Sequence, residues 1–166
     1  MPNIDTINAL ESKDALAVFI CCCGSSLWAK AMNARRPFNS VDDLFAATTR
    51  IEKTLMRADW LEAFAVHPRI GDVETLRKKF ATTAVWCEGE QAGVSGASDD
   101  VLSKLSVGNQ QYEARFGYIF IVCATGKTAT EMLALLESRL PNDFDVELHI
   151  AASEQAKITR LRLEKL

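Results

Sequence analysis

The chain has 166 residues, 48% of them hydrophobic and 25% charged, the proportions of one soluble globular domain large enough to bury a core. A net charge of -3, and aromatics not interleaved with a basic patch, argue against nucleic-acid binding. The longest early apolar run, Ala15 to Cys23, is too short to span a bilayer, so no membrane association is expected.

The predicted elements are helical nearly throughout. Ser12 is read as the N-cap of a first helix carrying Leu16, Phe19 and Ile20, which Gly24 ends. Ser25 or Ser26 opens the next turn (Leu27, Trp28, Met32), and Pro37 breaks it. Ser40 with Asp43 marks another start, followed by a stripe of Leu44, Phe45, Ile51 and Leu55. Asp59 caps a short segment (Trp60, Leu61, Phe64) that ends near His67, because Pro68 disfavours helical geometry at the residue before it. Beyond the turn-forming stretch 86–98, Ser98 caps a long helix with Leu102, Leu105, Tyr112 and Phe116 inward, and Gly117 stops it. Residues 118–123 are aromatic and β-branched, a strand by propensity. No other segment offers a partner of equal strength, so 118–124 is expected as one buried extended segment whose backbone groups could bind something. Helices over Thr128 to Leu140 and Asp143 to Leu163 (Leu148, Ala151, Gln155, Ile158, Leu161) complete the chain. With no repeat or linker, residues 1–166 are expected to form a single all-α domain.

Five cysteines, three of them consecutive (Cys21, Cys22, Cys23), form no C-x-x-C pair and read as small buried residues of a reduced, cytoplasmic protein. No charged n-region followed by an apolar core marks a secretory signal. Two histidines are thin material for zinc, and no metal is expected.

Chemistry concentrates at His67-Pro68-Arg69-Ile70-Gly71-Asp72. An imidazole, a guanidinium and a carboxylate lie within six residues at a helix end, and histidine titrates nearest neutrality. Read blandly, His67 merely closes a helix. Three further features bear on the choice. Ala124-Thr125-Gly126-Lys127-Thr128 resembles the tail of a phosphate-binding loop, but Ile121 stands where that loop requires glycine, so Lys127 is placed in solvent near a helix start. Cys87 with His67 as base would suit a cysteine-dependent hydrolase, although Glu88 and Glu90 oppose thiolate formation. Glu90 and Gln91 sit in a glycine-flanked turn and can hold a small ligand, or simply begin a loop. Arg162 is either an exposed helical arginine or a fork for a carboxylate, and Arg160, on another face, is its control. A helical binding module without chemistry remains the third alternative.

Four stretches in order, HPRIGD (67–72), WCEGEQAG (86–93), NQQYEARFGY (109–118) leading into FIVCA (120–124), and EQAKITRLRL (154–163), resemble the 2-oxo-4-hydroxy-4-carboxy-5-ureidoimidazoline (OHCU) decarboxylase family. The resemblance implies an all-α homodimer that needs no metal or organic cofactor and forms (S)-allantoin from a small-molecule substrate in urate breakdown. By position it implies His67 as the acid/base and Glu90 as its polar partner in catalysis. Gln91 and Arg162 would touch substrate. Pro68, Cys87 and the backbone of Ile119, Phe120, Ile121, Val122 and Cys123 would line the pocket. The family often carries serine where this chain has Cys87; a thiol donates a weaker hydrogen bond than a hydroxyl.

Overall fold

Short polar side chains set most of the element boundaries. In a computed structural model, which describes residues 1–67, 73–74 and 98–166, the chain forms eight helices and no strand among the described residues. These are α1 (Ile4–Ala9), α2 (Ser12–Cys23), α3 (Ser26–Arg35), α4 (Val41–Glu52), α5 (Arg57–Ala65), α6 (Asp99–Phe116), α7 (Ala129–Arg139) and α8 (Phe144–Leu163). The all-α expectation is met. The chain divides into two compact units, one of residues 1–67 and 148–166, the other of residues 68–147.

In the first unit, Asn3 caps α1, a helix the sequence pattern did not reveal. Ser25 and Ser40 cap α3 and α4 by accepting the N–H of Trp28 at 3.3 Å and of Asp43 at 3.1 Å. Two expected caps are corrected. Glu11 occupies the N-cap of α2, and Ser12 is its first helical residue, with its hydroxyl accepting from Asn33 at 2.8 Å. Asp59 acts from the third position of α5, where its carboxylate accepts the Met56 N–H at 2.8 Å. Gly24 ends α2 at φ 90°, and its N–H reaches Ile20 O at 2.8 Å. No other residue fits there, because a Cβ would lie 2.4 Å from Val66 Cγ2. The core gathers Phe19, Trp28, Met32, Phe38, Leu44 and Phe64, with Phe19 edge-on to Trp28 and Phe38. Helix α5 ends before His67, whose N–H still reaches Phe64 O at 3.2 Å.

In the second unit, Ser98 caps α6, Leu102, Leu105, Tyr112 and Phe116 are buried, and Gly117 ends the helix at φ 79°. Residues 118–124 belong to no helix or strand, and Tyr118, Ile121 and Cys123 are buried. Thr128 and Glu131 close a reciprocal capping box at the start of α7.

Helix α8 keeps Ala151 and Gln155 of its predicted stripe but not its other three residues. The buried line is Glu147, Ala151, Gln155, Thr159 and Leu163, while Leu148, Ile158 and Leu161 are only half-buried. Three polar residues on an inward line require partners, since an unpartnered buried polar group is costly.

Candidate active site

The last carbonyls of any α-helix lack partners within that helix. In α2 the Gly24 N–H takes the oxygen of Ile20, and the carbonyls of Cys21, Cys22 and Cys23 remain to be satisfied from elsewhere. Side chains of α8 do this. Arg162 Nη1 donates to Cys21 O at 3.2 Å and Cys22 O at 3.1 Å, placing a cation at the negative end of the α2 dipole. Gln155 Nε2 donates to Cys23 O at 3.3 Å and to Thr159 Oγ1 at 3.3 Å. The Gln155 amide oxygen lies 2.6 Å from His67 Nε2. One helix terminus therefore brings His67, Gln155 and Arg162 into a single arrangement.

That arrangement joins two residues expected from the sequence, His67 and Arg162, through one that was not singled out for function. Gln155 was read only as a member of a helical stripe. Its signal is an amide on the inward face of a helix, where an apolar residue would need no partner. Both Arg162 bonds among the described residues use Nη1, and a Nε–Nη2 edge has the geometry to match two oxygens of an anion. Arg160 takes another face, as expected: its guanidinium lies 4.0 Å from the Phe45 ring centroid, and its Nε is 3.2 Å from Glu164.

The neighbouring thiols are not activated. Burial pushes Cys22 up to about 11, outweighing the nearby Arg162 cation. Burial likewise raises Cys23. Two of the three consecutive cysteines are buried as expected, whereas Cys21 is exposed.

In the second unit, two carbonyls of the 118–124 segment are held by cations. Arg139 Nη1 donates to Ile121 O at 2.9 Å, and Lys127 Nζ donates to Cys123 O at 2.8 Å. Lys127 is thus half-buried and tied to the backbone, not placed in solvent as expected. No backbone–backbone hydrogen bond among the described residues uses the N–H groups of Ile119, Phe120, Ile121 or Val122. Arg139 is itself buried, with Nε and Nη2 2.8 and 2.6 Å from Glu147 Oε1, and its guanidinium lies 4.6 Å from the Phe120 ring centroid. Tyr112 donates its hydroxyl to the same carboxylate oxygen. Burial and that hydrogen bond push the phenol far above its ordinary range, which keeps it a donor.

Pro68, Cys87, Glu90 and Gln91 lie outside the described residues. Among the described residues, no three His, Cys, Asp or Glu side chains are grouped to hold a metal ion, and no helix is long and apolar enough to cross a membrane.

A family model described as OHCU decarboxylase matches residues 8–164. Over 147 residues the chain is 41% identical to the uric acid degradation bifunctional protein TTL of Arabidopsis thaliana, covering 87% of this chain and 45% of that protein. It therefore spans less than half the length of that relative. It is 26% identical to the 2-oxo-4-hydroxy-4-carboxy-5-ureidoimidazoline decarboxylase of Haloferax volcanii, over 96% of this chain and 93% of that protein. Among solved structures, the fold matches a crystal structure of OHCU decarboxylase in the presence of (S)-allantoin, with a TM-score of 0.74, 36% identity, and coverage of 94% of this chain and 97% of that one.

Proposed function

Because the chain belongs to the OHCU decarboxylase family, we propose that it decarboxylates 2-oxo-4-hydroxy-4-carboxy-5-ureidoimidazoline to (S)-allantoin in urate breakdown, as a cytoplasmic homodimer needing no metal or organic cofactor. The observation that carries the reading is the joining of His67 and Arg162 by Gln155 and the end of α2. Neither the cysteine-hydrolase reading nor the adaptor reading draws support from the family match.

The chemistry sets what such a site must do. The bond between the substrate ring carbon and its carboxylate breaks, CO₂ leaves, and the electron pair stays on that carbon, delocalised into the adjacent ring and carbonyl system. Arg162 would hold anionic or carbonyl oxygens, while Gln91 and backbone N–H groups from Ile119 to Cys123 would stabilise the developing charge. Imidazolium His67 then delivers a proton to the carbanion. With the ring held in one pose, by Pro68 and the backbone at Cys87 among others, delivery comes from one face and the product is a single enantiomer. Glu90 is the polar partner proposed for His67.

Circular dichroism during turnover of freshly generated substrate tests this. The wild type should give optically active allantoin, and His67→Ala only the slow racemic background. Racemate at the background rate from the wild type overturns the reading.

A further inference from the structure

We infer that Gln155 is a positioning residue that keeps a proton on Nε2 of His67, so that the proton His67 exchanges with substrate is carried on Nδ1. The argument begins with the orientation of the Gln155 amide, which is fully buried on α8. A carbonyl oxygen only accepts hydrogen bonds. The group facing Cys23 O at 3.3 Å must therefore be the NH₂, and the same NH₂ lies 3.3 Å from Thr159 Oγ1. Turning the amide over would set its oxygen against the Cys23 carbonyl and leave the NH₂ facing an imidazole nitrogen.

With the NH₂ assigned, the oxygen 2.6 Å from His67 Nε2 can only accept, and Nε2 must carry the hydrogen. An amide oxygen is too weak a base to remove it. The Nε2–H therefore stays in place while the ring gains and loses charge. In the proton-loaded state both ring nitrogens carry hydrogen. Transfer from Nδ1 to the carbanion forms the new C–H bond and returns the ring to its neutral Nε2–H form, with the bond to Gln155 unbroken. The same bond restrains rotation of the imidazole, so the direction of proton delivery is inherited from the end of α2. The destination of the proton rests on the decarboxylase reading, but the location of the Nε2 hydrogen does not.

The test uses the whole chain labelled with ¹⁵N-histidine. It has two histidines, so a His149→Gln variant identifies the His67 signals. In the wild type, the neutral ring of His67 should show hydrogen on Nε2 in slow exchange with water. Gln155→Leu should lose that slow exchange while keeping the helical circular dichroism. Turnover of Gln155→Leu should fall about 10- to 100-fold in kcat, with KM within about twofold, because the ring is misaimed while the substrate contacts remain. Hydrogen on Nδ1 in the neutral wild-type ring overturns the inference before any variant is made. So does an unchanged, slowly exchanging Nε2–H in Gln155→Leu. A wild type with the expected Nε2–H but no turnover of the ureidoimidazoline overturns the decarboxylase reading and the proton route built on it, while the role of Gln155 in setting the tautomer stands.

Discussion

Replacing Arg139 with methionine probes the second unit at its most concentrated electrostatic feature. Arg139 is 5% exposed and Glu147 fully buried, and two guanidinium nitrogens converge on one oxygen of that carboxylate at 2.6 and 2.8 Å. Methionine fills much of the same space but leaves Glu147, among the described residues, with Tyr112 and Asn142 as side-chain donors. Stranding one member of a buried ion pair costs about 3–5 kcal/mol. That is a large share of the roughly 5–15 kcal/mol holding a typical domain folded. The carbonyl of Ile121 would also lose its donor. Adding Glu147→Gln removes the stranded charge, and its amide oxygen can still accept from Tyr112, while its NH₂ takes the place of the oxygen that accepted from Asn142. The double variant should therefore recover roughly half the loss, because contacting residues do not act additively. Denaturant unfolding of the wild type, both single variants and the double variant completes the cycle. A loss below about 1 kcal/mol for Arg139→Met, or a double variant as poor as the two single losses added, would refute the reasoning.

Arg162→Lys should lower kcat/KM about 100-fold, since a lysine ammonium cannot bond two α2 carbonyls and also present a flat second edge. Arg160→Gln should stay within about twofold in the same steady-state assay, and equal losses would contradict the assignment. Glu52, at the end of α4, has its carboxyl pushed up by burial to about 7 from 4.5, and no hydrogen bond reaches its Oε1 among the described residues. The folded state binds that proton more tightly than the unfolded chain, so this group's contribution to stability falls as pH rises from about 4.5 to about 7. Glu52→Gln, freed of that loss, should gain about 1–2 kcal/mol near pH 8, after allowance for solvent screening, and little near pH 4. Thermal melts at the two pH values measure the difference, and an equal shift at both would exclude ionisation as its cause.

What the sequence made legible was short-range. Ser25, Ser40, Ser98 and Thr128 cap their helices by bonds spanning three residues, and Gly24 and Gly117 stop theirs with a single backbone angle. Helix α1 escaped because six residues with one buried side chain carry no period. That residues 118–124 form no strand could be inferred from their lack of a partner. Their anchor Arg139 could not, because a cation paired inside a core is indistinguishable in sequence from one on a surface. The inward face of α8 was misread in part for a related reason. The predicted stripe is right at Ala151 and Gln155, but apolar periodicity also places Leu148, Ile158 and Leu161 on it, whereas Glu147 is buried because Arg139 satisfies it and Gln155 needs partners far away in sequence. For Gln155 those partners lie 88 and 132 residues away along the chain.

The three consecutive cysteines illustrate the same separation between side chain and backbone. As side chains they invite readings in disulfide, metal or nucleophile chemistry, yet burial raises two of the thiols away from the reactive thiolate form. What the candidate site takes from this stretch is three carbonyl oxygens at the end of a helix, aimed where Gln155 and Arg162 can reach them. Any residue supplies a carbonyl, but only a sharply ended helix points three of them at one place. Gly24 provides that ending by turning left-handed, and it packs so closely on Ala63 and Val66 that the end of α2 lies against the chain leading to His67. The glycine after the cysteines therefore governs the site's geometry more than the thiols do, by bringing the segment that carries His67 and the carbonyls that hold its partner Gln155 to one location.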